Sequence, residues 1–279
     1  MIEQQPPLLG AEDDELAPIR NLLAENIAPL PLAGNRRSAM RQGLMAQVAT
    51  AVAKQAGLTT VRAKDGVWQT LKTGIRIKPL WDGGALGRSV LIEFAAGASL
   101  IPHRHNSLEE GIVLRGDLAM GDLRLGPLDY HAAAAGSRHG AIRSERGALA
   151  YLRGTALGDS REVLKEVLSG LLPFGAGPSL TAHGSDINDW PEIAPGVRKK
   201  SLWVEGERES CFYRLAAGAR CPAHSHDTEE ECMMLDGDLF IDDLLLRAGD
   251  YQLAPAGSVH HEVYTDVGAT LFVRGGRSD

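Results

Sequence analysis

The stretch His103-Arg104-His105-Asn106-Ser107-Leu108-Glu109 returns 121 residues later as His224-Ser225-His226-Asp227-Thr228-Glu229-Glu230. The same offset of 121 separates Gly97 from Gly218, Gly116 from Gly237 and His139 from His260. Three imidazoles and a carboxylate therefore recur in one fixed frame. A lone His-x-His arises by chance, whereas a doubled set of four ligand-type residues reads as two copies of one metal-binding module.

The residue types suit that chemistry. Alternation along a strand predicts that His103 and His105 share a face, as do His224 and His226. Glu109 and Glu230 lie far enough on to cross a turn and begin the neighbouring strand, and His139 and His260 arrive from a third. Three nitrogen donors and one hard oxygen suit Zn, Fe, Mn or Ni, and leave one or two coordination positions for water or a ligand. One divalent metal per copy is expected.

Composition frames this reading. The chain has 279 residues, 44% hydrophobic and 23% charged, with 32 glycines and only 5% aromatic residues. That profile fits many short strands joined by tight turns. A formal charge of −7 argues against direct binding of nucleic acid through a general basic field. Cys211, Cys221 and Cys232 all fall in the second copy. Their odd number predicts reduced thiols and a cytoplasmic setting, not a disulfide framework. No apolar run approaches the ~20 residues of a membrane helix, and no signal peptide is visible.

Four regions are expected. Residues 1–60 form a helical N-terminal segment: Leu16, Ile19, Leu22 and Leu23 keep helical spacing, as do Met40, Leu44, Val48 and Val52, with Pro29 and Pro31 between the two sets. Residues 61–158 and 181–279 are the two β copies. Between them, 159–180 read as a helical linker, in which Asp159 and Glu162 form the start signal and Pro173 to Pro178 the stop. Trp68 and Trp190 are offset by 122, so the first copy holds one extra residue before its glycine.

The motifs match a known family. Gly97-x5-His103-x-His105-x3-Glu109-x6-Gly116 resembles the first cupin motif at every spacing, and Gly218 to Gly237 repeats it. The second cupin motif is complete as Gly249-Asp250, Pro255-Ala256-Gly257 and His260. In the first copy Leu128 replaces its glycine and Ala134 its proline, while Asp129, Gly136 and His139 remain. The segments Leu125 to Tyr130, Ala248 to Tyr251 and Ala256 to His260 resemble the ChrR-like cupins. That resemblance implies a mainly β chain of two tandem jelly-roll barrels, each enclosing a metal. It also implies a regulatory or sensory protein whose metal binds or reacts with a small molecule, with a sigma factor as partner. The family's anti-sigma domain, however, needs a His and a Cys-x-x-Cys for zinc, and residues 1–102 contain neither His nor Cys. The alternative is a metal-dependent dioxygenase acting on a chelating diketone, enol or phenolic ketone. Cupins commonly associate through sheet edges, which makes a homodimer the default.

Among the remaining residues, Cys232 follows Glu230 by two and is expected to face the same interior, as a small hydrophobe or a redox-sensitive thiol. His261 is expected at the surface. Glu229 and Glu231 are expected to face solvent or to support the ligands, and Tyr130 and Tyr251 to pack at turns. Arg36, Arg37 and Arg41 read as a solvated helix face.

Overall fold

The computed structural model describes residues 33–157, 179–183 and 190–277, together with residues 18, 21 and 22. The expected linker helix from Asp159 lies outside these residues, and so does most of the first N-terminal helix. The second is observed as the helix Gly34–Lys54. Its Met40, Leu44, Val48 and Val52 are exposed, as are its arginines. No helix among the described residues is long and apolar enough to cross a membrane.

From Thr59 onward the chain forms short strands closed by glycine turns, as the composition predicts, and builds two jelly-roll barrels. In the first, a sheet runs in the order Ser179–Ala182, Tyr130–Ala133, Glu109–Gly116, Ala148–Thr155, Arg88–Phe94, Ile75–Trp81, Gln69–Lys72. In the second, the equivalent order is Thr59–Val61, Tyr251–Ala254, Glu230–Ile241, Ala269–Gly276, Arg208–Leu215, Val197–Glu205, Glu192–Ala194. Buried positions alternate along several strands, as in Ile75 and Ile77, so each sheet turns an apolar face into its barrel.

The barrels exchange strands. Thr59–Val61 stands before the first barrel in the chain but completes the sheet of the second, where Thr60 is opposite Gln252. Ser179–Ala182 completes the sheet of the first, with Thr181 opposite His131. Thr60 and Thr181 are again 121 apart, so the repeat begins with these strands. Each exchanged strand is followed by a side chain that pairs with the motif aspartate of the receiving barrel: Arg62 with Asp250 at 2.8 Å, and His183 with Asp129 at 3.2 Å. A division of the chain at 61–158 and 181–279 therefore cuts across the sheets.

The extra residue of the first copy sits in one hairpin. Trp81 pairs with Ser89 and Trp203 with Ser210, so the first connection is one residue longer and holds the single-turn helix Gly84–Leu86. The motif glycines Gly116 and Gly237 have φ of 81° and 77°, and a Cβ on either would lie 1.9 Å from a facing carbonyl oxygen. No other residue fits there. Leu128, which replaces the second motif's glycine, keeps the left-handed turn at φ 68° against 87° for Gly249. The erosion of that motif changed the residue and kept the backbone.

Between the barrels lies a core of Tyr130, Tyr151, Trp190, Phe212, Tyr251 and Phe272. It encloses charge. Glu231 accepts hydrogen bonds from Arg153 Nε at 2.7 Å, Tyr251 OH at 2.8 Å, Tyr151 OH at 3.0 Å and Ser89 Oγ. Glu110, its counterpart 121 residues earlier, accepts from Tyr130 OH at 2.7 Å and Arg153 at 3.3 Å. Glu231 is thus neither solvent-facing nor a support for the ligands, and Tyr130 and Tyr251 are buried donors. Saturation with donors is what lets a carboxylate sit in an apolar core.

Candidate metal centre

Each barrel gathers its four expected ligands. In the first, the two-residue strands His103–Arg104 and Arg138–His139 pair directly, placing His139 opposite His103. Glu109 opens the next long strand. In the second, His224–Ser225 pairs with Val259–His260, and Glu230 opens its strand likewise. The strands end one residue before His105 and His226, yet both rings still reach the cluster. Ring centroids lie 4.6–5.6 Å apart among the three histidines of barrel 1 and 4.5–5.2 Å apart in barrel 2. One donor atom from each of the four residues lies within 4.8 Å of the others, in both sets.

The surroundings fit a cation. His103 Nδ1 donates to Ile101 O at 3.1 Å, and His224 Nδ1 to Pro222 O at 2.9 Å, which leaves Nε2 of each as a lone-pair donor. Burial pushes His139 and His260 down to about 3 and His226 down to about 4, so these rings are neutral at pH 7, as ligation requires. Among the described residues His260 Nε2 is buried with no hydrogen-bond partner. Its Nδ1 turns the other way, toward His226 Nε2 at 3.3 Å, and three imidazoles converging with a carboxylate suit a metal, so the residues fit one.

The carboxylates differ. Burial would raise Glu109, but the imidazoles of His105 and His103 and a hydrogen bond from Thr155 bring it below its usual value. Glu230 is pushed up to about 7 by burial alone. Gly276 stands where barrel 1 has Thr155, so the second carboxylate lacks that hydroxyl.

The larger difference is space. Barrel 2 holds a cavity of about 530 Å³, with His224, His226, Glu230 and His260 in its lining and aliphatic walls that include Leu215, Ile241 and Val273. Barrel 1 leaves about 40 Å³ beside Glu109 and His139. Phe94, Met120 and Leu152 occupy the positions of Leu215, Ile241 and Val273, and they fill the first barrel. Cys211, Cys221 and Cys232 line the cavity where barrel 1 has Val90, Leu100 and Gly111. All three are free thiols, and Cys232 does share an interior with Glu230 as the spacing predicts. Burial raises Cys211 to about 12 and moves Cys221 and Cys232 the same way, so they stay protonated. Glu209, bonded to Lys199 Nζ at 2.7 Å, and Arg277 add charges to the wall. His261 is exposed, as expected.

Sequence reasoning missed one residue of barrel 1. His131 is buried and its Nε2 lies 3.1 Å from His139 Nε2. The repeat frame held the signal, because the corresponding residue of barrel 2 is Gln252 and a His opposite a Gln marks a difference between the copies.

A family model described as the ChrR cupin-like domain matches residues 56–157 and 181–279. The chain belongs to that family and carries its domain twice. No curated protein matches the sequence. Among solved structures it is similar to a candidate dioxygenase from Nostoc punctiforme, at 16% identity and a TM-score of 0.59 over 79% of this chain and 82% of the other. It is also similar to oxalate decarboxylase of Bacillus subtilis, at 14% identity and a TM-score of 0.54, covering 79% and 78%. A further similarity, to AerE from Microcystis aeruginosa, has 20% identity and a TM-score of 0.51, covering 76% and 97%. The Bacillus decarboxylase is described with Mn(II) centres. At such identities the likeness shows the fold alone.

Proposed function

We propose that this bicupin is a metal-dependent small-molecule receptor whose ligand-binding centre is the second barrel, the first barrel holding a closed metal centre. The observation that carries this reading is the cavity of about 530 Å³ around His224, His226, Glu230 and His260, against about 40 Å³ in barrel 1. A pocket of that size, with aliphatic side chains and a set of polar groups in its wall, is the usual form of a small-molecule site. The ligand that fits has an oxygen pair able to chelate a divalent metal and a compact apolar body. The metal, Zn, Fe, Mn or Ni, would supply Lewis acidity toward those oxygens. The chain's own residues supply the walls, the three imidazoles and the carboxylate.

A regulatory output is supported by two features. Glu230 and Glu231 are neighbours on one strand, the first in the cavity and the second in the inter-barrel network. A shift of that strand on ligand binding would reach the network through this adjacency. The helix Gly34–Lys54 exposes Met40, Leu44, Val48 and Val52, a row suited to a protein partner such as a sigma factor.

Dioxygenation is the second reading, and the half-open position of the ligand set favours it: His224 is exposed, which leaves room for a second small molecule beside the first. The test is to load the chain with Fe(II) or Zn(II), titrate pentane-2,4-dione and follow O₂. One probe bound per chain without O₂ uptake is the expected result. Uptake with Fe(II) would establish the dioxygenase instead, and no binding with either metal would overturn both readings.

A further inference from the structure

The first barrel contains an imidazole that the doubled motif lacks. His131 lies on the strand Tyr130–Ala133, its Nε2 at 3.1 Å from His139 Nε2 and its Nδ1 at 2.8 Å from Thr181 Oγ1. On the other side of its ring, His139 turns Nδ1 toward His105 Nε2 at 3.4 Å, where the donors converge.

The protons of this chain can be assigned. A hydrogen bond between two neutral imidazoles needs one N–H and one lone pair. With His139 Nε2–H as donor, His131 Nε2 accepts and carries its own proton on Nδ1, directed at the Thr181 hydroxyl oxygen. His139 Nδ1 is then a free lone pair facing the other ligands. The reverse arrangement puts a proton on His139 Nδ1 and blocks it as a ligand, so only the first is compatible with ligation.

Barrel 2 lacks this support. Gln252 takes the place of His131, and its amide nitrogen donates to Thr60 Oγ1 at 3.4 Å. Gln252 Oε1 and His260 Nε2 are both buried without a partner among the described residues.

We propose that His131 is a positioning residue of the barrel-1 metal centre, which holds His139 in its metal-binding tautomer and ties that centre, through Thr181, to the exchanged strand Ser179–Ala182. The inference rests on barrel 1 holding a metal. It assigns the two centres different work: the first fastens a strand that arrives from the far side of the linker, and the second stays free to meet a ligand. The small space beside the first centre, enough for about one water, agrees with this.

The test uses the full chain titrated with Co(II), whose absorption reports donor geometry, in competition with a chelator. His131→Gln installs the residue of barrel 2 and keeps a donor for Thr181. One of the two Co(II) affinities is expected to fall about 10- to 100-fold, the range for loss of a residue that orients a ligand. Its spectrum should change, with the second site unaltered. Gln252→His should do the converse and tighten the barrel-2 site, with the barrel-1 site unaltered. Two unchanged affinities and spectra in His131→Gln would overturn the proposal. Should that variant fail to fold, Thr181→Val probes the same link, with a smaller loss at the same site expected and no change overturning it. A native chain that takes up Co(II) only in barrel 2 would sink the barrel-1 metal reading itself, and this inference with it.

Discussion

Barrel 1 and barrel 2 share a frame of 121 residues, the same four candidate ligands and the same strand order, yet one is filled and the other hollow. The difference lies in the walls. Phe94, Leu152 and Thr155 correspond to the smaller Leu215, Val273 and Gly276 across the repeat, while Met120 corresponds to the differently shaped Ile241, and the side-chain atoms lost at the first three places contribute to the cavity. The ligand motif alone thus does not tell which barrel does chemistry. Where the motif is eroded, around Leu128 and Ala134, the centre is closed and held by an additional histidine, and where it is intact the centre is accessible.

The comparison can be broken most severely at what the barrels share. Glu231 is 1% exposed and balances Arg153. Glu231→Ala leaves the buried Arg153 with Glu110 alone and three buried hydroxyls without their acceptor, and is expected to cost about 3–5 kcal/mol, the usual penalty for removing one partner of a buried pair. Denaturant unfolding would measure it, and both barrels should weaken together. A loss under 1 kcal/mol would mean that the network contributes little.

The hollow barrel can next be made to resemble the filled one. Leu215→Phe with Val273→Leu transfers two wall residues of barrel 1 into barrel 2. Binding of pentane-2,4-dione is expected to weaken at least about 10-fold, equivalent to ~1.4 kcal/mol, with metal content unchanged. Unaltered binding would place the ligand elsewhere. The smallest effect belongs to the eroded motif. Leu128 holds a left-handed φ of 68° that costs a non-glycine residue roughly 1 kcal/mol. Leu128→Gly should therefore raise the unfolding midpoint slightly, and a decrease would show that the leucine side chain contributes more than its backbone costs.

Much of this was legible in the sequence. The doubled barrel and the convergence of the eight candidate ligands followed from a repeat of identical residues at identical spacing, because a metal site needs particular donor types at fixed places. The exchanged strands were not legible: Thr59-Thr60-Val61 is too short for a periodic signal, and strand partners are set by topology. Glu231 was misplaced because a charged residue beside a ligand reads as solvent-facing until its buried partner, Arg153, is seen 78 residues earlier. His131 stands outside the identities that define the repeat, and its importance lies in differing from Gln252. The cavity was invisible for a similar reason, since it is a sum of small volume differences spread over several strands.

The central claim, that the barrels divide the work, is tested most directly by calorimetric titration of pentane-2,4-dione into two zinc-loaded variants. His103→Ala with His105→Ala removes the first centre, and His224→Ala with His226→Ala the second. Binding that survives in the first variant and disappears in the second is the predicted result. Binding that survives loss of the second centre and disappears with the first would contradict it.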